Sequence, residues 1–266
     1  LLLTLGKATR LTRFLIRAPK VYEGVIHLGV TTDTYDATGE VVAEGSTVGL
    51  TRQAVADGMK GFVGTIEHAA PPYSAKKVQG KKLYELAREG KEVPRETKEV
   101  TVFEFDPVSD LEDGRVRFRL ACSSGTYART LAHDLGQALG CGAHLEALRR
   151  IRIGPFDVAD AVSLEQLGER IEAARRPGGR EPAEELEPAW VPFDRIPLPF
   201  GEVETDHQQE ERVRHGQTVL VRDLEGEEGD WIKLKNRRGE LVAVGTVVER
   251  IGDRGVGVVQ PRVVFR

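Results

Sequence analysis

The stretch CSSGTYARTLAHDLG, residues 122–136, holds the side chains best placed to do chemistry. A strand should end at Cys122, Ser123–Ser124–Gly125 should make a tight turn, and a helix should follow with Tyr127 and Arg129 in its first turn. A junction of that kind holds its residues rigidly while leaving them open to a cleft. A guanidinium there suits a carboxylate or a phosphate, and a tyrosine suits hydrogen bonding or stacking. The plainer reading makes Tyr127 an amphipathic residue at the core edge and Arg129 a surface cation. The helix macrodipole opposes a cation at this end, so Arg129 needs a carboxylate from elsewhere, which sequence spacing alone does not name. The segment TDTYDATGE offers Asp33 and Asp36 between two strands, where the default is a turn whose carboxylates cap backbone amides. A hydrolase using Ser123 or Ser124 with His133 and Asp134 fails, because neighbouring helical residues do not face one another.

The elements that must position these groups are legible. In KVYEGVIHLGV, alternation puts Tyr22, Gly24, Ile26 and Leu28 on one side of a strand. RVRFRLAC alternates more clearly, with Val116, Phe118, Leu120 and Cys122 inward and Arg115, Arg117 and Arg119 outward. Helical spacing marks RQAVADGMKGFV, GKKLYELAREG ending at Gly90, and TYARTLAHDLGQALG ending at Gly140. Strands and helices mix without a regular βαβ repeat, which favours an α+β fold. Ser163 and Gln166 in SLEQ form a capping box that opens a short helix. Residues 175–199, rich in Pro, Gly, Arg and Glu, read as a linker. Beyond it lie the short strands TVLVRDL, DWIKLKN, LVAVGTVVER and VVQPRVVF. The expected organisation is a domain over 1–174, a linker over 175–199 and a small β-rich domain over 200–266.

Composition excludes several function classes. There is no P-loop, no GxGxxG after a strand, no HExxH and no zinc-type cysteine pairing, so nucleotide-cofactor and metal chemistry have no anchor here. Cys122 and Cys141 make no disulfide framework, which suits a reducing cytoplasm. The run Leu1–Leu5 is too short to span a bilayer, so no membrane partner is expected. The net charge is −4, yet it divides unevenly along the chain. Lys7, Arg10, Arg13, Arg17 and Lys20 lie at the start, Lys76, Lys77, Lys81 and Lys82 follow, and acidic runs such as EPAEELEP come late. Any one basic run reads as a solvated face; together they make nucleic acid a partner to test.

LGKATRLTRFL, KVYEGVIHLGVTTDTYDATGEV, PPYSAKKVQGKKLYELAREGKEVPRE, SSGTYARTLAHDLGQALGCGAHLEALRRIRIGPF and PRVVF together resemble the TruB family of tRNA pseudouridine synthases. The likeness runs to about residue 165 and continues more weakly into a PUA-like C-terminal module. It implies a pseudouridine-synthase fold, with a mixed, largely antiparallel sheet flanked by helices. It further implies a monomer acting without cofactor on the TΨC stem-loop of tRNA, isomerising uridine 55 by flipping the base, breaking the C1′–N1 bond and rejoining the base through C5.

By the same resemblance, Tyr22 stacks on the flipped base and helps to move the C5 proton. Tyr127 contacts the substrate, Leu148 packs on the base, and Lys77, Lys81 and Lys82 contact RNA. Without the resemblance Leu148 would read as core. Arg129 corresponds to the arginine that pairs with the nucleophilic aspartate, which the family carries in a G-x-L-D-P-x-A-T-G motif upstream of L-G-K-A-T. Here L-G-K-A-T is Leu5–Thr9, and the chain opens inside an apolar run without Met, which reads as a cut just after the catalytic loop. The expectation is an inactive chain whose Arg129 has lost its mate, with a non-catalytic tRNA-binding protein on the same fold as the alternative. Asp33 and Asp36 belong to the family's separate T-D-T-x-D-A-x-G segment. His68 stands where the family has Gln, and His144 reads as a structural histidine at a helix start.

Overall fold

A computed structural model describes residues 1–73, 77–78, 81–82, 97–176, 181–252 and 255–265, without the side chains of 77, 78, 81, 82 and 182. Two compact units emerge, Ile16–Ala159 and Leu1–Leu15 with Asp160–Arg266. The first holds strands β1 (Lys20–Leu28), β2 (Val30–Thr32), β3 (Val41–Glu44), β4 (Gly64–Ala69), β5 (Lys77–Val78), β6 (Lys81–Lys82), β7 (Thr97–Pro107), β8 (Arg115–Cys122), β9 (Ala143–Ile153) and β10 (Phe156–Asp157). Its helices are α1 (Arg52–Lys60) and α2 (Ala128–Ala138). The main sheet has six strands in the order β10-β9-β1-β8-β7-β4, with every pairing antiparallel.

Alternation along β1 and β8 explains how this unit closes. Ile26 and Leu28 from β1 and Val116, Phe118, Leu120 and Cys122 from β8 are buried, and they join Val55 and Met59 of α1 and Leu131 and Leu135 of α2 in one core. Thr51 caps α1 by accepting from the Ala54 amide, and Gly140, at φ +74°, follows the end of α2. His144 lies on β9 and not at a helix start: it is buried, with Nδ1 2.9 Å from the Val30 carbonyl oxygen. Gly140 and Gly142 both take positive φ, which turns the chain from helix into strand before His144. The helix expected to end at Gly90 lies outside the described residues, except that Lys81–Lys82 pair as a strand with Lys77–Val78.

The second unit carries helices α3 (Leu164–Arg175) and α4 (His207–Arg214). Its strands are β11 (Gly201–Thr205), β12 (Val219–Val221), β13 (Trp231–Asn236), β14 (Leu241–Ile251) and β15 (Val256–Val264), ordered β11-β13-β14-β15-β12. The Ser163–Gln166 capping box opens α3 as expected, and a second box, Asp206 with Gln209, opens α4. Contacts divide the chain ahead of residue 174 because Arg170 on α3 donates to the carbonyls of Glu185 (3.3 Å) and Glu187 (2.8 Å), tying the helix to the segment after it. The opening residues belong to this unit too. Arg10 donates to the Val264 carbonyl, Lys7 lies 4.1 Å from the Phe193 ring centre, and Phe14 meets Trp231 edge-on at 4.8 Å. Among the described residues, no helix is long and apolar enough to cross a membrane.

Candidate active site

The site begins on β1. Its register pairs Tyr22 with Leu120 on one side and Arg150 on the other, and pairs Gly24 with Leu148. Tyr22 is half-buried against the core, whereas Leu148 is 43% exposed, unusual for a leucine in an inner strand. Gly24 makes the arrangement possible: a Cβ there would collide with the Ala147 carbonyl oxygen and sit 2.8 Å from the Phe118 ring. Burial raises the Tyr22 phenol above its ordinary pKa and nearby Cys122 adds to this, while Arg150 opposes it with its charge and a hydrogen bond. Burial and the charge of Arg150 lower the ammonium pKa of Lys20.

β8 ends at Cys122, the cross-strand partner of Lys20, and the chain turns into α2. Ser123 Oγ accepts from the Thr101 amide (2.9 Å), Thr126 Oγ1 donates to the Ser123 carbonyl (3.1 Å), and Gly125 takes φ +88°. Tyr127 is the N-cap residue of α2, so Arg129 falls in the first turn, as expected.

Arg129 is not left uncompensated. Its guanidinium donates to Asp36 Oδ2 at 2.7 Å and to the Tyr73 carbonyl at 2.6 Å, and both charged side chains are only 22% exposed. Burial acts to raise the Asp36 carboxyl, but hydrogen bonds from Thr38, Arg129 and Thr34 outweigh it and hold the pKa below the ordinary value. The capping reading of this turn holds for one oxygen, since Oδ1 accepts from the Thr38 amide (3.0 Å). Asp33 caps the same turn, accepting from the Glu40 amide (2.9 Å).

The turn that carries Asp36 is fixed to the sheet. Leu145 on β9 donates its amide to the Tyr35 carbonyl and accepts from the Ala37 amide, both at 3.0 Å. Tyr35 sits at φ +66°, a conformation costing a non-glycine residue about 1–2 kcal/mol, and its buried ring stacks on His133 at 3.7 Å. That aims Asp36 at the start of α2. Sheet, turn and helix therefore meet around one ion pair.

The model of the TruB family pseudouridylate synthase N-terminal domain matches residues 1–128, and that of the tRNA pseudouridylate synthase B C-terminal domain matches residues 129–196. The tRNA pseudouridine synthase B of Solibacter usitatus (strain Ellin6076) is 39% identical over 247 residues, which cover 92% of this chain and 80% of the relative. The chain belongs to the TruB family. It is also 48% identical over 184 residues to the tRNA pseudouridine synthase B of Azoarcus sp. (strain BH72), covering 69% of this chain and 60% of that relative. A solved Cbf5-Nop10-Gar1 complex contains a chain that superposes with a TM-score of 0.70 at 26% identity, covering 97% of this chain and 70% of that one. TruB-family membership makes the pseudouridine-synthase fold and the isomerase class the frame for this site.

Within that frame, Tyr22 and Leu148 share one sheet face, and Tyr127 and Arg129 share one helix start. The side chains of Lys77, Lys81 and Lys82 lie outside the described residues. Spacing did not identify Asp36 as the partner of Arg129, because the two lie 93 positions apart. It also missed His68, which is 1% exposed and accepts the Tyr127 amide on Nε2 at 2.9 Å.

Proposed function

We propose that this site isomerises uridine 55 in the TΨC stem-loop of tRNA to pseudouridine, with no cofactor and as a monomer. The observation that carries this reading is the apolar stripe of Tyr22 and Leu148, left partly open on a sheet whose unit also holds the Arg129–Asp36 pair, formed between the start of α2 and the β2–β3 turn. A flipped uracil has lost its stacking partners and needs an aromatic or aliphatic surface in their place. Tyr22 and Leu148 supply that surface, and Tyr127 lines the approach from the helix start. The Tyr22 hydroxyl, beside Arg150, is the group placed to handle the C5 proton. Lys77, Lys81 and Lys82 are assigned to the RNA backbone, and residues 200–266 to a PUA-like RNA-binding role in a cytoplasmic protein.

The nucleophile is the remaining part. No G-x-L-D-P-x-A-T-G motif occurs among these 266 residues, and Asp36 is already engaged by Arg129, Thr34 and Thr38. Arg129 therefore serves as the bridge on which a second carboxylate would assemble, its charge keeping that group ionised for attack or proton transfer. The 266 residues alone should bind tRNA without turnover. The test compares this sequence with a version carrying the aspartate motif upstream, by tRNA binding and by tritium release from C5-labelled uridine. Binding by both and release only by the longer form is expected; binding by both without any release favours a non-catalytic tRNA-binding protein. Absence of tRNA binding by either overturns the reading.

A further inference from the structure

The start of α2 has an unusual support. Its N-cap residue, Tyr127, makes no side-chain capping hydrogen bond, and a side chain from β4 holds its backbone instead. That side chain is His68. An amide N–H must donate, so Nε2 must be unprotonated and the neutral ring carries its proton on Nδ1. The imidazole also lies nearly parallel to the Tyr127 ring, 18° off with centres 6.1 Å apart.

Two neighbouring contacts reinforce the hold. Thr130 Oγ1 donates to the Ala69 carbonyl at 3.4 Å, and Arg129 donates to the Tyr73 carbonyl at 2.6 Å. Residues 68, 69 and 73 thus grip three residues of the first turn, of which His68 alone uses a side chain. Lys98 is the cross-strand partner of His68 on β7, and its ammonium stands 5.9 Å from the Tyr127 ring centre.

We propose that His68 is a positioning residue of this site: one hydrogen bond accepted on Nε2 fixes the N-cap from which both Tyr127 and Arg129 take their orientation. Burial and the charge of Lys98 keep the ring unprotonated, lowering its pKa to about 4, and an amide that donates to Nε2 favours the same neutral form. The acceptor is therefore present across the whole neutral range. Glutamine can serve the same purpose with its side-chain carbonyl, whereas an apolar residue cannot. The consequence for RNA rests on the proposed function; the consequence for Tyr127 does not.

The test uses the 266-residue chain with His68→Gln and His68→Leu, read by amide hydrogen exchange and by binding of a tRNA T-stem-loop. His68→Leu should speed exchange of the Tyr127 amide by about tenfold or more, since a lost hydrogen bond is worth roughly that factor. It should weaken stem-loop binding several-fold, and His68→Gln should restore both. In the unmodified protein the Tyr127 amide resonance should move with a midpoint near pH 4; among the described residues, the charged or titratable side chains set against the ring are Lys98 from β7 and Tyr127 at the N-cap of α2. His68→Gln should abolish that movement, which keeps the proposal open to refutation even where His68→Leu folds poorly. Unchanged exchange at Tyr127 in the leucine variant, or a pH response that persists in the glutamine variant, overturns it. Failure of the unmodified chain to bind the stem-loop rejects the RNA reading while leaving the exchange result decisive for His68.

Discussion

The two ends of β1 obey one sequence rule and come to opposite fates. Tyr22, Gly24, Ile26 and Leu28 alternate onto the same face between the same neighbours, β8 and β9. At the Leu28 end the face is closed: Ile26 and Leu28 are 0% and 1% exposed beneath Met59, Leu131 and Leu135. At the Tyr22 end the tyrosine is half-buried, and Leu148, across from Gly24, stays open. The strand's pattern does not set this difference; the covering helix does. α2 places its apolar middle, Leu131 and Leu135, in the core that holds Ile26 and Leu28, and keeps Tyr127 and Arg129 at its polar start. Among the described residues, the candidate site is the part of an apolar stripe that stays partly exposed.

The comparison breaks most severely at the closed end. Phe118→Ala should cost about 3–5 kcal/mol in denaturant unfolding, because the ring is 1% exposed and its neighbours cannot collapse fully into the space. A loss below about 1 kcal/mol would mean that this end is not the sealed core described. Gly24→Ala probes the boundary between the two ends. The new methyl meets the Ala147 carbonyl, which is backbone and cannot swing aside, so a cost of about 1–3 kcal/mol is expected. Shifts in β9 amide resonances around Leu148 should accompany it, since Ala147 is the group that must move.

At the open end the effects become smaller and more sensitive to pH. Asp36→Asn keeps the shape of the turn but removes the charge facing Arg129, with an expected cost of about 1–2 kcal/mol for a largely buried, charge-assisted pair. The folded state holds Asp36 below its ordinary pKa, so this stability is present above that value and is lost as the pH falls through the folded one. Unfolding curves of the two proteins should therefore converge in acid. Parallel curves down to pH 2 would show that the carboxylate contributes no charge-dependent stability.

The contrast also explains what the sequence could disclose. Alternation in β1 and β8 was legible because each residue carries its own burial preference, and Gly125 and Ser163 mark their turns locally. The Arg129–Asp36 pair was not, since it depends on Leu145 anchoring a distant turn and on Tyr35 adopting a left-handed conformation that nothing in its side chain favours. His68 was visible only as a departure from the family glutamine. Its use emerges once β4 is placed beside the start of α2. In the second unit, β11 escaped notice because GEVET is too short and acidic to look like a strand, and its parallel pairing with β13 is a tertiary choice. For the same reason Lys7, Arg10 and Arg13, which composition offered to RNA, are found against Phe193, Phe265 and Trp231.

The smallest expected effect is the most discriminating for the site. Tyr22→Phe removes one oxygen and keeps the ring that packs on the core, so stability near neutral pH should change by less than about 1 kcal/mol. Its signature belongs at high pH. The phenol's pKa is raised in the folded state, chiefly by burial, so the native protein holds this proton more tightly than the unfolded chain does. The associated stability is complete below the ordinary value of 10.0 and drains away as the pH climbs through the folded value. The phenylalanine variant lacks that loss, so the two unfolding curves should separate only above about pH 10, with the variant the more resistant. Cys122 is raised by burial too, but it is present in both proteins, so only its coupling to Tyr22 enters the difference. If the curves stay parallel into strong alkali, the hydroxyl is as well solvated folded as unfolded, and Tyr22 presents to the site a ring without a tuned proton.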